Sequence, residues 1–360
     1  MAQVPESRRA PGAQGGGVGL PRPSTGTSPS QPRDGTRFLL LLLFLLGAVA
    51  ALSVFLGRYP APGFLSLHTL FHDPLAQRLV LAIRLPRIVA GILLGMSLGA
   101  AGTVFQMVFA NPLVEPGFLG VSQGAAFGAA LGIVAVSANP AIVEASALIF
   151  ALGGLWLSWM LARLIRYGGW ILRLVLAGIA VSALFSAGIG AVKLVADPLS
   201  QLQEITFWLL GGLWNVTWRD VLFVAPPAVV GLSVVYLLRW RLNVLSLDER
   251  VAHSLGSAPG RERVLVLFSA TLATAAVVSV SGLIGWVGLM IPHAARRLCG
   301  TDAAKSLPSS MLLGAVFILL CDDLARTVLP VEIPLGILTS VLGAGAFITL
   351  MIARREERNR

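Results

Sequence analysis

Long uncharged stretches alternate with short polar segments along most of the chain. Nine long runs contain no Asp, Glu, Lys or Arg, and most have the roughly 20 residues that a helix needs to cross a bilayer. They cover residues 38–56, 88–110, 116–143, 145–162, 174–192, 221–238, 264–295, 306–321 and 333–353. The shortest, 306–321, reaches a spanning length if Asp322 and Asp323 lie at its exit. This pattern predicts an all-α, polytopic membrane protein.

The run 264–295 is too long for one ordinary span. It therefore forms either one tilted helix or a broken pair of helices, and its residues that favour a break are Gly282, Gly285, Gly288 and Pro292. The positive-inside rule separates these alternatives. With a broken pair and the amino terminus inside, most of the 27 Lys and Arg residues lie on the cytosolic side, whereas a single helix divides them almost evenly. The sequence therefore predicts ten transmembrane helices with both termini cytosolic.

Composition excludes a soluble globular domain. Hydrophobic residues make up 56% of the chain and charged residues 12%, against about 45–50% and about 25% in soluble domains. The formal net charge of +10 does not indicate a nucleic-acid partner, because the basic residues form short clusters between uncharged runs. Residues 1–37 are rich in Gly, Pro, Ser and Arg and are predicted to be a disordered cytosolic tail. A ten-helix transmembrane domain is predicted over 38–355.

The sequence contains no recognisable motif for chemistry of its own. A Walker A phosphate loop is absent, and no nucleophile with a partnered base stands within a run, so the chain is predicted not to be an enzyme. An ion-coupled secondary transporter needs paired carboxylates, His or Lys deep in its spans, and none is evident. That transporter class is therefore the weaker alternative. We expect no metal or cofactor to be bound by this chain.

Glycines recur every four residues on the second and third predicted helices. Such a stripe of small residues lets the backbones of neighbouring helices approach closely. The predicted packing positions are Gly91, Gly95 and Gly99 on the second helix and Gly120, Gly124 and Gly128 on the third.

The segment 240–262 is the longest polar connection between two runs, yet it has an ordered pattern. Ser246 and Glu249 have the spacing of a capping box, and Gly256 is a helix stop. Three apolar residues at a spacing of four share one helix face: Leu247, Val251 and Leu255. The predicted short helix lies either on the lipid surface or against a protein partner. Its narrow apolar face beside Asp248 and Glu249 favours the partner.

Arg84, Arg87 and Arg326 fall on the predicted outer side, against the positive-inside bias. Exposed arginines in that place have two explanations. Either they bind phosphate headgroups of lipids, or they receive acidic side chains of an extracellular partner, for which the bidentate guanidinium is well suited. Charge alone leaves both explanations open.

Five stretches of the chain resemble one protein family. They are RLPRIVAGILLGMSLGAAGTVFQ (84–106), NPLVEPGFLGVSQGAAFGA (111–129), FWLLGGLWNVTW (207–218), GLIGWVGLMIPHAARRLCGTD (282–302) and LPVEIPLGILTSVLGAGAF (329–347). In this order, and within about residues 38–355, they are similar to the FecCD family of ABC importer permeases, which serve iron siderophores, haem and cobalamin. The resemblance implies a ten-helix, multi-pass subunit of the bacterial plasma membrane that dimerises around a central pathway.

The resemblance also implies roles for particular residues. Arg84 and Arg87, in the RLPR motif, and Arg326 are expected to dock an extracytoplasmic substrate-binding protein. The coupling helices of the family match the segment 246–261. The expected ATPase contacts in that segment are Ser246, Leu247, Glu249, Val251, Leu255, Gly256 and Arg261.

Asn111 and Leu113 match family residues that constrict the cytosolic end of the pathway. The implied partners are two copies of an ATP-binding cassette subunit, which uses ATP and Mg²⁺, and a second permease subunit that is an identical copy or a paralogue. We therefore expect a permease for ferric siderophores, with haem or cobalamin as alternatives. The stretch GGWIL before Arg173 lacks the small hydroxyl residues of cobalamin permeases, which argues against cobalamin.

Overall fold

The computed structural model describes residues 35–59, 63–136 and 139–358, and regular structure in these ranges is almost entirely helical. The strands found there are two residues long, β1 (Leu56–Gly57) and β2 (Gly63–Phe64), and they pair antiparallel. The predicted all-α class is confirmed. The predicted tail, 1–37, lies outside the described residues except for 35–37, which begin the first helix.

Fifteen α-helices follow one another along the described ranges. In chain order they are α1 (Gly35–Phe55), α2 (Leu67–His72), α3 (Pro74–Leu79), α4 (Leu85–Val108), α5 (Val121–Leu131), α6 (Pro140–Leu164), α7 (Trp170–Val195), α8 (Gln201–Leu210), α9 (Trp218–Leu237), α10 (Arg239–Leu245), α11 (Glu249–Ser254), α12 (Pro259–Ser281), α13 (Val287–Cys299), α14 (Ala303–Thr327) and α15 (Leu335–Arg358). π-helical turns join α3 to α4 and extend α5, at Val80–Arg84 and Gly132–Val136. The short 3-10 helix Pro116–Leu119 precedes α5.

Seven helical stretches in the described ranges are long and apolar enough to cross a membrane. They contain α1, α3 with α4, α6, α7, α9, α12 and α14. Two shorter apolar helices, Val121–Val136 and Leu335–Thr349, correspond to two further predicted spans. The count of ten transmembrane helices stays a prediction, because α5 and α13 have only 11 and 13 residues and the apolar stretch of α15 is limited to Leu335–Thr349.

The long run 264–295 is broken into two helices, which is one of the two predicted alternatives. Helix α12 ends at Ser281, and Gly282 follows it with φ at +68°. Only glycine adopts such a backbone readily, and a Cβ on Gly282 would lie 2.2 Å from the Trp208 carbonyl oxygen. Gly288 and Pro292 lie inside α13 and do not form the break.

The turn after the third predicted span lies earlier than the sequence indicated. The uncharged runs predict a boundary at Glu144, but α6 already begins at Pro140. Asn139 caps the helix by accepting a hydrogen bond from the Ala141 amide at 3.0 Å, and proline is well suited to the first helical position. Because the cap and the proline set the helix start before Glu144, the charged Glu144 lies inside α6, where it is buried.

Helix α4 crosses α14 at a point where both helices carry glycine. A Cβ on Gly95 would lie 2.2 Å from the Gly314 carbonyl oxygen, and a Cβ on Gly314 would lie 2.2 Å from the Gly95 oxygen. Gly99 lies one turn further on, against the Ser310 carbonyl. The two backbones therefore touch without intervening side chains, as small residues allow.

Helix α5 packs against α6 in the same way. A Cβ on Gly124 would lie 2.3 Å from the Phe150 carbonyl oxygen, and one on Gly128 would lie 2.4 Å from that of Ser146. Gly120 differs from the prediction, because it precedes α5 with φ at +77° and is not part of the helical stripe. Its left-handed conformation turns the chain from the 3-10 helix into α5.

Candidate functional site

Arg87, at the start of α4, is held by two carboxylates from the far end of the chain. Its Nε lies 2.9 Å from both carboxylate oxygens of Asp322, on α14. Its Nη1 donates to Glu332, at 2.9 and 3.1 Å. The Arg87 and Asp322 side chains are almost completely buried, so this charge pair joins α4 to α14 out of contact with water.

Asp323, the next residue on α14, connects that helix to α1. Its carboxylate accepts a hydrogen bond from Ser53 Oγ at 2.7 Å and another from Arg326. Arg326 also donates to the Ser53 carbonyl oxygen at 2.6 Å. Three helices, α1, α4 and α14, thus meet in one network of charged side chains.

A cavity of about 260 Å³ opens beside this network. Its charged lining residues are Arg58, Arg84, Arg87, Arg326 and Glu332. Arg84 makes no carboxylate contact among the described residues and donates to the Val54 carbonyl oxygen at 2.7 Å. The Arg58 Nη2 atom is buried without a hydrogen-bond partner in this part of the chain. Positive charge and unused donors therefore face the cavity.

The burial of the three predicted docking arginines corrects the expectation that they are exposed. Arg84, Arg87 and Arg326 are only 7%, 5% and 6% exposed. Desolvated guanidinium groups need hydrogen-bonding partners, which Asp322 and Asp323 supply to Arg87 and Arg326 and the Val54 carbonyl oxygen supplies to Arg84. We name Arg58, Arg84, Arg87 and Arg326 with their carboxylates the outer arginine cluster. Its docking role stays a prediction.

The predicted coupling segment, 246–261, contains α11 and the first residues of α12, but the predicted capping box is wrong. Asp248 is the N-cap of α11, and its Oδ1 accepts from the Arg250 amide at 2.9 Å. Ser246 instead donates to the Asn243 carbonyl oxygen at 2.8 Å. An aspartate next to the helix start provides the cap directly, so the serine two residues earlier is not needed. Gly256 has φ at +75° just beyond the end of α11.

The apolar face of this segment is uncovered in the single chain. Leu247, Val251 and Leu255 are all exposed, but they do not share one helix as predicted: Val251 lies in α11, whereas Leu247 precedes its N-cap and Leu255 follows its last residue. The segment is nevertheless held in place, because buried Arg263 on α12 donates to the carbonyl oxygens of Leu245 and Leu247 at 3.2 and 3.4 Å. A fixed, exposed apolar face next to charged residues is typical of a protein-binding surface.

The predicted constriction residues lie beside the coupling segment. Asn111 accepts from the Leu113 amide at 2.9 Å, which shapes the turn after α4 and leaves Leu113 exposed. A cavity of about 450 Å³ adjoins this turn. Its polar lining includes Gln106, Asn111, Asn243, Ser246, Arg296 and Asp302. The structure thus brings Asn111 and Ser246, which are far apart in sequence, to the same cavity.

Two amide side chains that no sequence pattern indicated make the polar contacts around this cavity. Asn243 donates to Asp302 Oδ1 at 2.7 Å and accepts from the Ala303 amide at 2.9 Å, joining α10 to the start of α14. Gln106 donates to the carbonyl oxygens of Gly288 and Leu289 and accepts from Arg296. Only the position of Asp302 before α14, as a helix N-cap, gave a local signal for this network.

Glu115 links the same turn to the broken-helix region. Its carboxylate accepts a hydrogen bond from the Trp286 backbone amide at the start of α13, where no side chain of α13 itself provides a cap. Burial raises the pKa of the Glu115 carboxyl group, and the amide hydrogen bond acts in the opposite direction. Trp286 has φ at +70°, an uncommon conformation for a bulky residue.

A second buried carboxylate site was not expected from the sequence. Glu144 on α6 lies within hydrogen-bonding reach of Asp220 on α9, and both are buried. They line a cavity of about 290 Å³ with Glu204 and Arg219. Because Glu144 stood between two predicted spans and Asp220 before another, their pairing had no local signal. No group of three or more His, Cys, Asp or Glu residues in the described ranges is arranged as a metal site.

The fold and the polar clusters together define a class of protein. Long apolar helices form most of the chain, a network of buried charges joins the start of α4 to the end of α14, and an exposed polar segment lies between α9 and α12. This organisation is that of a multi-pass membrane transport subunit.

Comparison with known proteins identifies the family. The sequence profile of the FecCD transport family matches residues 40–353. Over 291 residues the chain is 42% identical to a probable iron chelatin transport system permease protein of Helicobacter pylori, covering 80% of this chain and 87% of the relative. It is 37% identical to the molybdate import system permease protein MolB of Haemophilus influenzae, covering 89% and 97%.

A solved structure is also similar over nearly its whole length. An inward-facing metal-chelate type ABC transporter chain matches with a TM-score of 0.82 and 37% identity, covering 88% of this chain and 99% of that chain. The present chain belongs to the FecCD family of ABC importer permeases. It is a transport subunit and not an enzyme, and ATP hydrolysis occurs in a separate subunit.

Proposed function

We propose that this permease carries ferric siderophores, in a pathway formed with a second permease subunit that is an identical copy or a paralogue. The observation that supports this proposal most strongly is the 42% identity with a relative named for iron chelatin transport. Haem is the alternative, and cobalamin is disfavoured by the stretch 168–172. The molybdate relative shows that names within the family cover chemically different cargoes.

Uptake by the reconstituted importer tests the cargo. The permease, its ATPase and its cognate binding protein are placed in liposomes, and ferric siderophores, haemin, cobalamin and molybdate are compared at equal concentration. We expect ATP-dependent uptake of a ferric siderophore at least tenfold above that of the other cargoes. Preferred uptake of haemin, cobalamin or molybdate contradicts the iron assignment while leaving the transport class intact.

On the outer side, we propose that a binding-protein carboxylate enters the cavity of the outer arginine cluster. Arg87 and Arg326 there are paired with Asp322 and Asp323, whereas Arg58 and Arg84 donate to backbone carbonyls and have no carboxylate partner among the described residues. An inserted carboxylate would accept from Arg84 and from the unpartnered Arg58 Nη2. Insertion into a preformed cavity explains how buried arginines serve in docking.

Replacing Arg84 by glutamine is expected to weaken binding of the substrate-binding protein at least tenfold. The reason is that a hydrogen bond to a charged group contributes about 1.5–3 kcal/mol. Arg78→Gln is the matched control, because this exposed arginine on α3 does not line the cavity. Biolayer interferometry on permease in nanodiscs measures the affinity of each variant for the substrate-binding protein. Equal affinities for the two variants would contradict docking through the cluster.

On the other side, we propose that the coupling segment, 246–261, binds a cleft of the ATPase. Two ATPase subunits that use ATP and Mg²⁺ would close on nucleotide binding and displace α11. The Asn243–Asp302 contact and the cavity beside Asn111 would pass that displacement to the cytosolic constriction. ATP can change the side of the membrane to which the pathway opens because the ATPase would bind two permease conformations with different affinities.

Replacing Glu249 and Leu255 together by alanine is expected to reduce uptake at least tenfold without changing the amount of permease in the membrane. Leu255 is 58% exposed, so its loss leaves no internal cavity. Leu67→Ala is the control, since Leu67 on α2 is equally exposed, at 58%, and lies outside the segment. Transport assays and quantitative immunoblots are compared. Unchanged uptake by the double variant argues against the coupling role.

The orientation proposal is that both termini and the coupling segment face the cytosol. Residues 246–261 follow α10 and include the first residues of α12, and in the predicted ten-span topology they lie on the same side of the membrane as both termini. Cysteine accessibility at Ser254→Cys, an exposed position at the end of α11, and at a carboxyl-terminal tag is measured in intact cells. We expect both to be protected from a membrane-impermeant reagent, and labelling of either one overturns this topology.

A further inference from the structure

A basic cavity lies between α6, α7 and α12, on the same side of the membrane as the coupling segment. Its volume is about 580 Å³. Its aromatic and basic lining residues are Trp159, Arg163, Trp170, Arg173 and Arg261. No Asp or Glu is among the described residues that line it. Three guanidinium groups therefore face a common space without a neutralising side chain from the described chain in that space.

The arginines have few internal partners. Arg163 is exposed and places its Cζ 4.8 Å from the centre of the Trp159 ring, an arrangement that leaves its N–H edge available. Arg173 donates from Nη1 to the Ile165 carbonyl oxygen at 3.3 Å, and its buried Nε has no hydrogen-bond partner in the described residues. A buried unused donor in a basic cavity indicates a missing acceptor.

An apolar cavity of about 180 Å³ continues from the basic one. The two share Trp159, Trp170 and Val264 in their linings. Beyond these residues the second cavity is bounded by apolar side chains, including Trp156 and Phe268, which are exposed on the surface of the spans. A single site thus passes from cationic to apolar in the direction of the membrane interior.

We propose that this site binds an anionic phospholipid. Its phosphate would accept hydrogen bonds from Arg163 and Arg173, beside Arg261 of the coupling segment, and one acyl chain would lie against Trp156 and Phe268. Basic pockets between transmembrane helices, with tryptophan at headgroup level, are suited to such lipids. The apolar continuation favours a lipid over free phosphate, because a small anion would leave that cavity unused. The proposal does not depend on the cargo of the transporter.

Native mass spectrometry of the full-length permease in detergent tests the assignment. Phosphatidylglycerol and phosphatidylcholine with identical acyl chains are titrated, and glycerol phosphate is added as a competitor that carries the anionic headgroup alone. We expect phosphatidylglycerol to bind at least tenfold more tightly than phosphatidylcholine, and glycerol phosphate not to displace it. Equal affinity for the two lipids overturns the proposal. Displacement by glycerol phosphate at the lipid's own concentration assigns the site to small anions instead.

Variants locate the binding. The double variant R163Q/R173Q is expected to lower phosphatidylglycerol affinity at least tenfold. Arg239→Gln is the matched control: Arg239 lies over the Tyr236 ring at 4.0 Å, near the same end of the spans, and lines neither cavity. Thermal unfolding of each variant checks the fold. Should the double variant misfold, Trp156→Ala is used, with a loss of at least threefold expected for phosphatidylglycerol.

An acidic surface of the ATPase is the competing occupant of the arginines. If R163Q/R173Q retains full lipid affinity but loses the ATPase during purification of the complex, the proposal is overturned in favour of that contact. If lipid affinity falls and the ATPase stays bound, the lipid assignment holds.

Discussion

Replacing Asp322 by alanine is expected to destabilise the folded permease by about 3–5 kcal/mol, because removal of one partner leaves the other charge of a buried pair unmatched. Asp322 is 1% exposed and accepts from Arg87 in a geometry with three contacts of 2.9 Å. After the change, Arg87 retains only Glu332, whose side chain is partly exposed. Equilibrium unfolding of the detergent-solubilised protein measures the difference in free energy.

Two comparisons make this result specific to the buried pair. Arg241→Ala removes the partly exposed contact of Arg241 with Glu262 at 3.7 Å, and a loss below about 1 kcal/mol is expected there. The double variant R87M/D322L removes both charges and is expected to recover most of the lost stability. If Asp322→Ala and Arg241→Ala have equal effects, the buried pair is not a main contact between α4 and α14.

Replacing Gly95 by alanine is expected to destabilise the protein by at least about 1–3 kcal/mol, the usual range for overpacking. The added Cβ would lie 2.2 Å from a backbone oxygen of Gly314, and backbone atoms cannot move aside as a flexible side chain does. The helices α4 and α14 would have to separate. We expect a lower melting temperature and reduced yield of folded protein from membranes.

Gly47→Ala is the control for the effect of alanine itself. Gly47 lies within α1, and no other atom stands within 4 Å of the position that its Cβ would take. Alanine is the better helix former, so this change is expected to be neutral or stabilising by up to about 1 kcal/mol. Stability changes of opposite sign for the two variants would show that backbone contact, and not helix propensity, determines the effect of alanine at Gly95. A neutral Gly95→Ala variant would contradict the close α4–α14 crossing.

The sequence was sufficient for features that depend on neighbouring residues. The apolar runs predicted the helices, and glycine at 282 predicted a break because its backbone freedom is a local property. The glycine spacing on α4 likewise pointed to a face of close approach. Where two local signals competed, as at Asp248 and Ser246, the sequence pattern selected the wrong one.

Features that depend on distant residues could not be predicted. Arg87 is 235 positions from Asp322 and 245 from Glu332, so no residue near Arg87 in sequence indicates that its side chain is buried. The same holds for Glu144 and Asp220, which are brought together only by the packing of α6 and α9. The sequence around Asn243 gives no sign of its contact with Asp302, which lies 59 positions away.

Helix α14 connects the outer arginine cluster to the cavity beside the coupling segment. Its first residues are fastened through Asp302 to Asn243, and its last turns carry Asp322 and Arg326. With 25 residues it is a rod about 37 Å long. A tilt of α14 as one body would move both ends, and thermodynamic reciprocity would then make the influence run in both directions. Under the docking proposals above, binding of the substrate-binding protein at one end of α14 would therefore change the affinity for the ATPase at the other end before transport begins.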